Sequence, residues 1–557
     1  MILKNGFVID GSGNPGFKAN VRIEDDRIAE IGRLISVEGE ETIDATGLVV
    51  SPGFIDVHAH SDYTLLANSL AESKVRQGVT TEINGNCGSS AAPLSGSEID
   101  AGRKNLERLS LELDWAGFGE YLDRLEKQGL SLNVVTLVGH GTLRSSVMGS
   151  AARSPTQEEL KRMKGVLAQA MEEGAFGLST GLEFAPGRYS EMDELIELCR
   201  VVAEHGGLYA THQRNRDIRY EEATAEAIEV GEKTGVPVHL SHFVVRFPGE
   251  GKTPALLWML DEARKKGIDL TCDVIVPCDA PRSLRLRLRD GYHWAAQSLA
   301  PQLIPPWGFE GGTAKTLARL RDPEIRRKFR EEHVPQWKLF GAPKEVYPEY
   351  PEGIAPKWDR LLLNYCRACP ELNGKTFSEI AEIKGMDPWD AALDVVMEEG
   401  EQTGSFSIPI LGATTAERDS IRVMQHPTAS LCSDRSALAP YGVLAEGAEP
   451  NSYGAFPRVY RKYVRERGIL SLEETVRKMS SVPAQQFGLW DRGIIRKGMK
   501  ADLVLFDPEH IGDRATIEEP AQYPEGIEYV IVNGALVLEK GEHTGARPGQ
   551  VLRKNTT

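Results

Sequence analysis

Eight short apolar segments recur along the chain, and each runs into polar or turn-forming residues. They are Gly53–Val57, Thr80–Asn84, Val134–Val138, Ala175–Ser179, Leu208–Thr211, Val236–Ser241, Asp269–Val276 and Ala429–Ser433. Several intervening segments have the apolar spacing of an amphipathic helix, such as Gln157–Glu173 and Tyr220–Thr234, after which Gly235 is a helix stop. Eight strands alternating with helices predict a parallel (β/α)8 barrel of the α/β class over residues 51–488.

The stretch between the seventh and eighth predicted strands is far too long for one strand–helix–strand unit. We therefore predict an insertion over about residues 281–400, with alternating arginines from Arg282 to Arg289 and a charged, helix-like stretch at Thr316–Glu332. Long excursions from the top face of a barrel usually cover or shape the active site, so we predict that this insertion is a lid. A packing domain that makes no contact with substrate is the alternative.

The two ends of the chain share a third pattern, of short alternating strands separated by glycine turns. Residues 1–50 contain Ile2–Gly6 and Val21–Glu24, and residues 489–552 contain Ala501–Phe506 and Val530–Gly534. Two terminal halves of this kind predict one small β-sandwich domain beside the barrel, built from both chain termini.

Side chains that bind metals stand where the predicted strands end. His58 and His60 close the first strand, and positions i and i+2 of a strand face the same side, so both imidazoles can reach one ion. Cys87, His212, His242 and Asp434 close or follow the second, fifth, sixth and eighth strands. Because barrel chemistry lies at the carboxyl ends of the strands, we predict that these residues form one metal site. His239 is predicted to face outwards and pack against helices.

Composition narrows the class of protein. The chain has 557 residues, of which 41% are hydrophobic and 26% charged, as in ordinary globular proteins. A formal net charge of −16 argues against a nucleic-acid or anionic-membrane surface, and no apolar run is long enough for a bilayer. The N-terminal sequence is unlike a signal peptide, so we expect a cytoplasmic protein whose seven cysteines are reduced thiols. Cys366 and Cys369 form a CxxC pattern that we interpret as incidental.

Several motifs resemble the amidohydrolase superfamily, and specifically its D-aminoacylase (N-acyl-D-amino-acid deacylase) branch. They are Gly53–Asp62, Gly78–Thr81, Gly85–Gly88, Val138–Arg144, Gly177–Leu182, Thr211–Arg214 and Tyr453–Arg458. Gly493–Val504 is similar to the C-terminal sheet signature of the superfamily. The resemblance spans almost the whole chain.

The resemblance implies roles for the metal-site residues. Cys87 matches the position at which this branch replaces the carboxylated lysine that bridges two metals elsewhere in the superfamily. Cys87, His212 and His242 would hold a tight Zn²⁺, and His58, His60 and Asp434 would form a second, weaker or vacant position. Zinc lowers the pKa of a bound water to about 7 and polarises an amide carbonyl. We predict that Asp434 takes a proton from the water and delivers it to the departing nitrogen.

The chain departs from the D-aminoacylase pattern where that branch contacts its substrate. Val244, Cys278, Phe184 and Asn451 stand where a lysine, two tyrosines and an arginine are common. This suggests that recognition of a substrate carboxylate is weakened, displaced or absent.

Four other residues are candidates for substrate contact, and each also has a structural interpretation. Arg246 or Arg435 would supply a replacement cation, or either is a solvated loop charge. His140 ends the third strand and would contact substrate or an oxyanion, or be structural. Arg214, two residues after His212, would share its face or form a structural ion pair.

The sequence therefore predicts a zinc-dependent hydrolase of a small linear amide, of the N-acyl amino acid deacylase type, with D-specificity left open. The alternatives are an amidohydrolase of cyclic amides, carbamates or other non-peptide C–N bonds, and one whose amide substrate lacks a free carboxylate. A non-enzymatic metal-binding protein is disfavoured, because a binding scaffold does not need an open metal position. The sequence does not predict an oligomeric state.

Overall fold

The computed structural model describes residues 1–149, 151–217, 219–246, 251–279, 292–333, 358–363, 366–404, 406, 408–445 and 448–554. The strands are β1 (Ile2–Val8), β2 (Phe17–Glu24), β3 (Arg27–Gly32), β4 (Thr42–Asp44), β5 (Val49–Pro52), β6 (Phe54–Asp56), β7 (Val79–Asn84), β8 (Asn133–Thr136), β9 (Val138–Gly139), β10 (Gly177–Gly181), β11 (Leu208–His212), β12 (Val238–Leu240), β13 (Leu270–Ile275), β14 (Tyr292–Ser298), β15 (Leu361–Leu363), β16 (Pro409–Ala416), β17 (Ala429–Cys432), β18 (Leu503–Phe506), β19 (Ile527–Val532), β20 (Ala535–Glu539) and β21 (Glu542–His543).

The α-helices are α1 (Thr64–Ala67), α2 (Glu72–Val75), α3 (Ser97–Arg108), α4 (Phe118–Gln128), α5 (His140–Met148), α6 (Gln157–Glu172), α7 (Met192–Glu204), α8 (Tyr220–Thr234), α9 (Thr253–Lys265), α10 (Ala300–Leu303), α11 (Thr313–Arg321), α12 (Pro323–His333), α13 (Phe377–Lys384), α14 (Pro388–Thr403), α15 (Glu417–Gln425), α16 (Pro450–Arg458), α17 (Leu472–Met479) and α18 (Ser481–Gln486). A π-helix (Val459–Glu466) continues directly from α16. In the described part of the chain, no helix is both long and apolar enough to span a bilayer.

The eight predicted barrel strands all form and pair in parallel. β6, β7 and β8 make one run, and β9, β10, β11, β12, β13 and β17 make the other, with β8 and β9 as consecutive parts of the third strand. The barrel closes between the first and last strands, where Asp434 N donates to His58 O at 3.0 Å and Ala59 bridges Arg435. The predicted (β/α)8 fold is therefore confirmed, and the ends of the first and eighth strands lie side by side.

Local sequence sets the limits of the barrel helices. Helix α6 begins after Thr156, whose hydroxyl accepts a hydrogen bond from Glu159 N, while Glu159 accepts one from Thr156 N. This capping box satisfies two amide groups that the helix itself leaves unpaired. Helix α8 ends at Gly235, which takes the left-handed conformation (φ +70°) that glycine adopts without steric cost. Both helices match their predicted spans to within one residue.

The interior of the barrel is apolar below the site. It contains Ile55, Val57, Ile83, Leu137, Ala210 and Cys432, and Phe487 packs against this cluster from the C-terminal helices. His239 belongs to the interior as well, because parallel pairing aligns it with Ala210 and Thr271, and its ring lies 5.4 Å from that of Phe487. The prediction that His239 faces outwards was therefore wrong.

Nine strands from the two ends of the chain form a single sheet. The N-terminal strands β1 to β5 join the C-terminal strands β18 to β21 through antiparallel pairing of β5 with β18, in which Val50 lies opposite Leu505. Alternate apolar residues such as Val21 and Ile531 form its core. The sheet continues directly into the barrel, since Gly53 N donates to Asp502 O one residue before β6 begins.

The described part of the insertion has its own core. Strands β14, β16 and β15 form an antiparallel sheet, and helices α10 to α14 pack with it around Leu320, Phe329 and Trp389. The predicted charged helical stretch corresponds to α11 and α12. The arginines Arg282 to Arg289 lie outside the described residues.

One expectation about the cysteines was wrong. Cys366 and Cys369 form a disulfide, whereas Cys87, Cys199, Cys272, Cys278 and Cys432 are free. The turn closes around the Glu399 carboxylate, which accepts hydrogen bonds from Arg367 N at 2.8 Å and Ala368 N at 3.1 Å. This arrangement holds the two ends of the CxxC segment together.

Candidate metal centre

One thiol and two imidazoles from separate strands converge at the carboxyl end of the barrel. The Sγ atom of Cys87 lies 3.5 Å from His212 Nδ1 and 3.4 Å from His242 Nε2. Cys87 follows β7, His212 is the last residue of β11, and His242 follows β12. The three donors offer the Cys and His chemistry of a catalytic zinc site.

A second set of ligand atoms adjoins the first and shares Cys87 with it. His60 Nε2 lies 3.0 Å and His58 Nε2 lies 3.4 Å from Asp434 Oδ1, and His58 Nε2 is 3.2 Å from Cys87 Sγ. All the candidate ligand atoms within each set lie within 4.8 Å of one another. The structure thus brings together all six residues that were predicted to bind metal.

The separations between these donor atoms suit a tetrahedral ion. With Zn–S of about 2.3 Å and Zn–N of about 2.0 Å, ligands at the tetrahedral angle are about 3.6 Å apart. The two distances from the Cys87 sulfur to His212 and His242, 3.5 and 3.4 Å, are close to that value. The residues present therefore fit a zinc ion.

The backbone at three ligand positions is held in an uncommon conformation. Cys87, His242 and Asp434 have φ values of +52°, +36° and +56°, in the left-handed region that residues with a Cβ rarely adopt. Next to Cys87, Gly88 also has a positive φ, and a Cβ there would lie 2.6 Å from the backbone nitrogen of Gly181. Non-glycine residues in such conformations cluster at functional sites, where the surrounding structure holds them in place.

Carboxylates outside the two sets orient the imidazole ligands. His212 uses Nδ1 towards Cys87, and its Nε2 lies 2.7 Å from Glu183 Oε2. Buried Asp273, within strand β13, accepts a hydrogen bond from His242 N at 2.6 Å and lies 3.5 Å from His58 Nδ1. Such carboxylate–histidine contacts fix the tautomer and the ring orientation of a metal ligand.

A buried ion pair connects the ends of the first and eighth strands. Lys74 Nζ lies 2.6 Å from Asp56 Oδ2 and also donates to Ser433 Oγ and to the carbonyl oxygen of Arg435. Asp56 accepts a hydrogen bond from Ser433 N at 3.1 Å. Lys74 and Asp56 are both fully buried. Because Lys74 bonds both Asp56 and the backbone of Arg435, it links the loop that carries His58 and His60 to the loop that carries Asp434.

The charges of the ligand groups reinforce one another. Burial would raise the pKa of the Cys87 thiol, but the positive charge of His58 and the hydrogen bond with His212 outweigh it and hold that pKa well below its usual range. Burial would lower the pKa of His60, but hydrogen bonds with Asp434 and Cys87 raise it to about 9. For Asp434, the opposing effect of burial is outweighed by His58 and His60, so its pKa falls below its usual value. Asp434 is therefore anionic at neutral pH, and the surroundings of Cys87 favour its thiolate form.

Two of the four predicted substrate contacts take part in hydrogen-bond and ion-pair networks within the protein. His140 is buried in helix α5, and its Nε2 lies 2.8 Å from Glu194 Oε1, which also pairs with Arg144. Arg214 does not share the face of His212. It makes a two-pronged ion pair with Glu226 and donates to backbone carbonyls.

The other two predicted contacts lie beside the metal centre, and each has an acidic partner. Arg246 is buried and paired with Glu183, the carboxylate that also contacts His212. Arg435 pairs with Glu449, and its Nη1 donates to the carbonyl oxygen of Asp434 at 2.6 Å. Neither guanidinium is an unpaired cation.

Sequence reasoning missed three residues that contact the ligands. Asp273 contacts His58 and His242, Glu183 contacts His212, and Arg216 Nη1 lies 2.8 Å from His242 Nδ1. An acidic residue inside the apolar run of β13 is a recognisable signal for Asp273. No local pattern indicates Glu183 or Arg216, because both lie in loops whose path depends on tertiary structure.

Comparison with known proteins gives concordant results over the full length of the chain. The sequence matches the Amidohydrolase family over residues 41–301 and 448–538. It is 32% identical over 555 residues to a D-aminoacylase from Alcaligenes xylosoxydans xylosoxydans, covering 100% of this chain and 97% of that protein. It is 32% identical over 562 residues to an N-acyl-D-glutamate deacylase from the same organism, with 100% and 97% coverage.

Solved structures agree with the sequence comparison. The crystal structure of an N-acyl-D-glutamate deacylase from Bordetella bronchiseptica, complexed with zinc and a phosphonate inhibitor, aligns with a TM-score of 0.75 at 30% identity and covers 99% of both chains. That of a D-aminoacylase aligns with a TM-score of 0.76 at 31% identity, again over 99% of both chains. With this fold, this site and these relatives, the chain belongs to the amidohydrolase family.

Proposed function

We propose that this protein is a zinc-dependent hydrolase that cleaves the linear amide bond of N-acyl amino acids, with the D-hand as the expected substrate series. The observation that carries the proposal is the convergence of the Cys87 sulfur with the imidazoles of His212 and His242, beside the Asp434 carboxylate. The names of the relatives, a D-aminoacylase and an N-acyl-D-glutamate deacylase, support the same chemical class.

Cys87, His212 and His242 would hold the tight zinc ion, and His58, His60 and Asp434 would form the second and weaker position. When bound, zinc acidifies a water molecule and polarises the amide carbonyl, the two needs of amide hydrolysis near neutral pH. The depressed pKa of Cys87 supports this assignment, because a thiol binds metal as the thiolate. Among the similar solved structures, an N-acyl-D-glutamate deacylase is complexed with zinc, and a D-aminoacylase has a binuclear metal centre. Both support a metal cofactor. The number of ions that this protein binds is part of the proposal.

Asp434 would move the proton. Its carboxylate is ionised at neutral pH and its side chain is 17% exposed, so it is able to accept a proton from the attacking water. The amide nitrogen becomes basic as its bond to the carbonyl carbon breaks, and Asp434 would then return that proton to the departing amine. His60, 3.0 Å away, keeps the carboxylate oriented.

A hydrolysis screen tests this proposal. The substrates are N-acetyl amino acids of both hands, a lactam, a hydantoin and a peptidyl amide, each incubated with zinc-loaded and with chelator-treated protein. We expect zinc-dependent release of amine from N-acetyl amino acids only. Turnover confined to the cyclic substrates, or unchanged by chelation, would contradict the proposal.

Two further predictions from the sequence enter the proposal. The insertion would act as a lid, which is supported by the guanidinium of Arg188, in the loop after β10, lying 4.5 Å from the centre of the Phe309 ring. The substrate would be a small molecule and the protein cytoplasmic, and that location stays a prediction.

A further inference from the structure

We propose that Arg216 binds the carboxylate of the amino-acid half of the substrate and thereby sets a preference for free acids over amides. The inference rests on the proposed function and adds to it the residue that recognises the charged end of the substrate. Arg216 lies on the loop after β11, at the carboxyl face of the barrel, where the ligands of the metal centre also lie.

Three other arginines near the metal centre already carry an acidic partner. Arg246 is paired with Glu183, Arg435 with Glu449, and Arg214 with Glu226. A substrate carboxylate that bound one of them would have to displace a protein carboxylate held at close range. The displaced group would remain partly or wholly buried without its counter-ion, which is costly.

Arg216 differs from these three residues. Its side chain is only 7% exposed, and it forms no ion pair with a carboxylate of the described chain. Its hydrogen bonds within the described residues go to His242 alone, from Nη1 to the ring nitrogen Nδ1 at 2.8 Å and to the carbonyl oxygen at 3.2 Å, and Nε has no partner. A buried guanidinium without an anion is unfavourable, and an incoming carboxylate would supply the missing charge.

The contact with His242 places this guanidinium one imidazole ring away from the metal centre: Nη1 lies on the Nδ1 side of the ring, and Nε2 faces Cys87. A guanidinium has only donors, so its unused N–H groups need an acceptor, which the carboxylate of a bound substrate would provide.

Two other cations lie in the same region. Arg246 is paired with Glu183, and the guanidinium of Arg188 packs on the Phe309 ring of the insertion. Arg216 is buried, so an ion pair with it would be strengthened by the low local polarity. Of these three, within the described residues, Arg216 is the one that contacts an imidazole of the metal centre without a carboxylate partner.

The test compares two substrates that differ only in charge, N-acetylalanine and N-acetylalaninamide, in the hand that the hydrolysis screen selects. We expect the wild-type protein to prefer the acid. Because a hydrogen-bonded pair with a charged group is lost, Arg216→Gln should raise the ratio of KM for the acid to KM for the amide about 10- to 100-fold. Arg216→Lys, which keeps the charge, should retain part of the preference.

Arg219→Gln is the matched control, since Arg219 is in the same loop and 49% exposed. It should leave the preference for the acid unchanged. Thermal unfolding of each variant separates a local effect from a loss of folding.

A binding measurement gives a readout that is independent of turnover. Calorimetry of N-acetylalanine with zinc-loaded Asp434→Asn protein should show binding that Arg216→Gln weakens by the same factor, while binding of the amide stays constant. Equal effects on acid and amide, or an unchanged KM for the acid in Arg216→Gln, would overturn the inference and leave the hydrolase intact. A protein that hydrolyses neither compound, yet binds the acid through Arg216, would instead contradict the proposed function.

Discussion

At the scale of single residues, Asp434 is the group on which proton transfer is expected to depend. Asp434→Asn keeps the size of the side chain but removes its ability to take a proton. General acid–base catalysis typically contributes about 10² to 10⁴ in rate, so we expect kcat to fall by about that factor. Zinc analysis of the same sample should still find an ion at Cys87, His212 and His242. Near-normal kcat in this variant, with Asp507→Asn as a surface control, would remove Asp434 from the mechanism.

The raised pKa of His60 predicts how protons and metal compete at the second position. The metal-free imidazole stays protonated below about pH 9 because Asp434 and Cys87 favour its charged form over the effect of burial. A metal binds only the neutral ring, so loading at pH 7.5 should release a proton from His60 that loading at pH 10 does not. Calorimetry in buffers of different ionisation enthalpy measures this difference. His60→Ala should abolish it, and an identical release at both pH values in the wild type would contradict the assigned pKa.

At the scale of elements, the pair formed by Lys74 and Asp56 joins strand β6 to the end of β17. Lys74→Met leaves the buried Asp56 carboxylate without its counter-ion, which typically costs about 3 to 5 kcal/mol. We expect that loss in the free energy of unfolding measured with urea, together with weaker binding of the second metal. Replacing both residues, Lys74→Met with Asp56→Leu, should restore part of the stability. A loss below about 1 kcal/mol in the single variant would show that the pair contributes little.

The elements also show how far the sequence predicts the site. The six metal-site residues could be predicted because parallel strands bring their carboxyl ends to one face of the barrel, whatever the loops do. The rule that residues two apart on a strand face the same side failed beyond the end of β11. Strand β11 ends at His212, so Arg214, two residues on, lies in a loop and turns to Glu226, while Arg216 turns to His242.

The same limit explains His239. The prediction assumed a regular strand as far as His242, but β12 ends at Leu240, and His242 follows in a turn with φ +36°. Whether the His239 side chain points into or out of the barrel therefore depends on where strand β12 ends. The pairing of β12 with β11 and β13 determines that end. Acidic partners such as Glu183 and Glu449 lie on other elements, which explains why the sequence left Arg246 and Arg435 open as substrate contacts.

At the scale of the whole molecule, the insertion is a second folded unit attached to the mouth of the barrel. Its own core, which includes Leu320, Phe329 and Trp389, is separate from that of the barrel, as the proposed lid role requires. Among the described residues, the ring of Phe309 in the insertion stacks on the guanidinium of Arg188 in the barrel. The backbone carbonyl oxygen of Arg188 in turn accepts a hydrogen bond from Arg214. Closure over a bound substrate would bury this contact further and exclude water from the site.

This arrangement predicts that ligand binding protects the insertion. Limited proteolysis of the zinc-loaded protein should cut within residues 281–400 more slowly when a non-hydrolysed phosphonate analogue of the substrate is present. Phe309→Ala removes a cation–π contact worth about 0.5 to 2 kcal/mol, so it should reduce that protection and raise KM about two- to thirtyfold. Phe17→Ala, which truncates a half-exposed ring in the terminal sheet, is the control and should change neither. If cleavage within 281–400 is the same with and without the analogue, the insertion is a fixed packing domain, and access to Cys87 and Asp434 is set by the barrel loops alone.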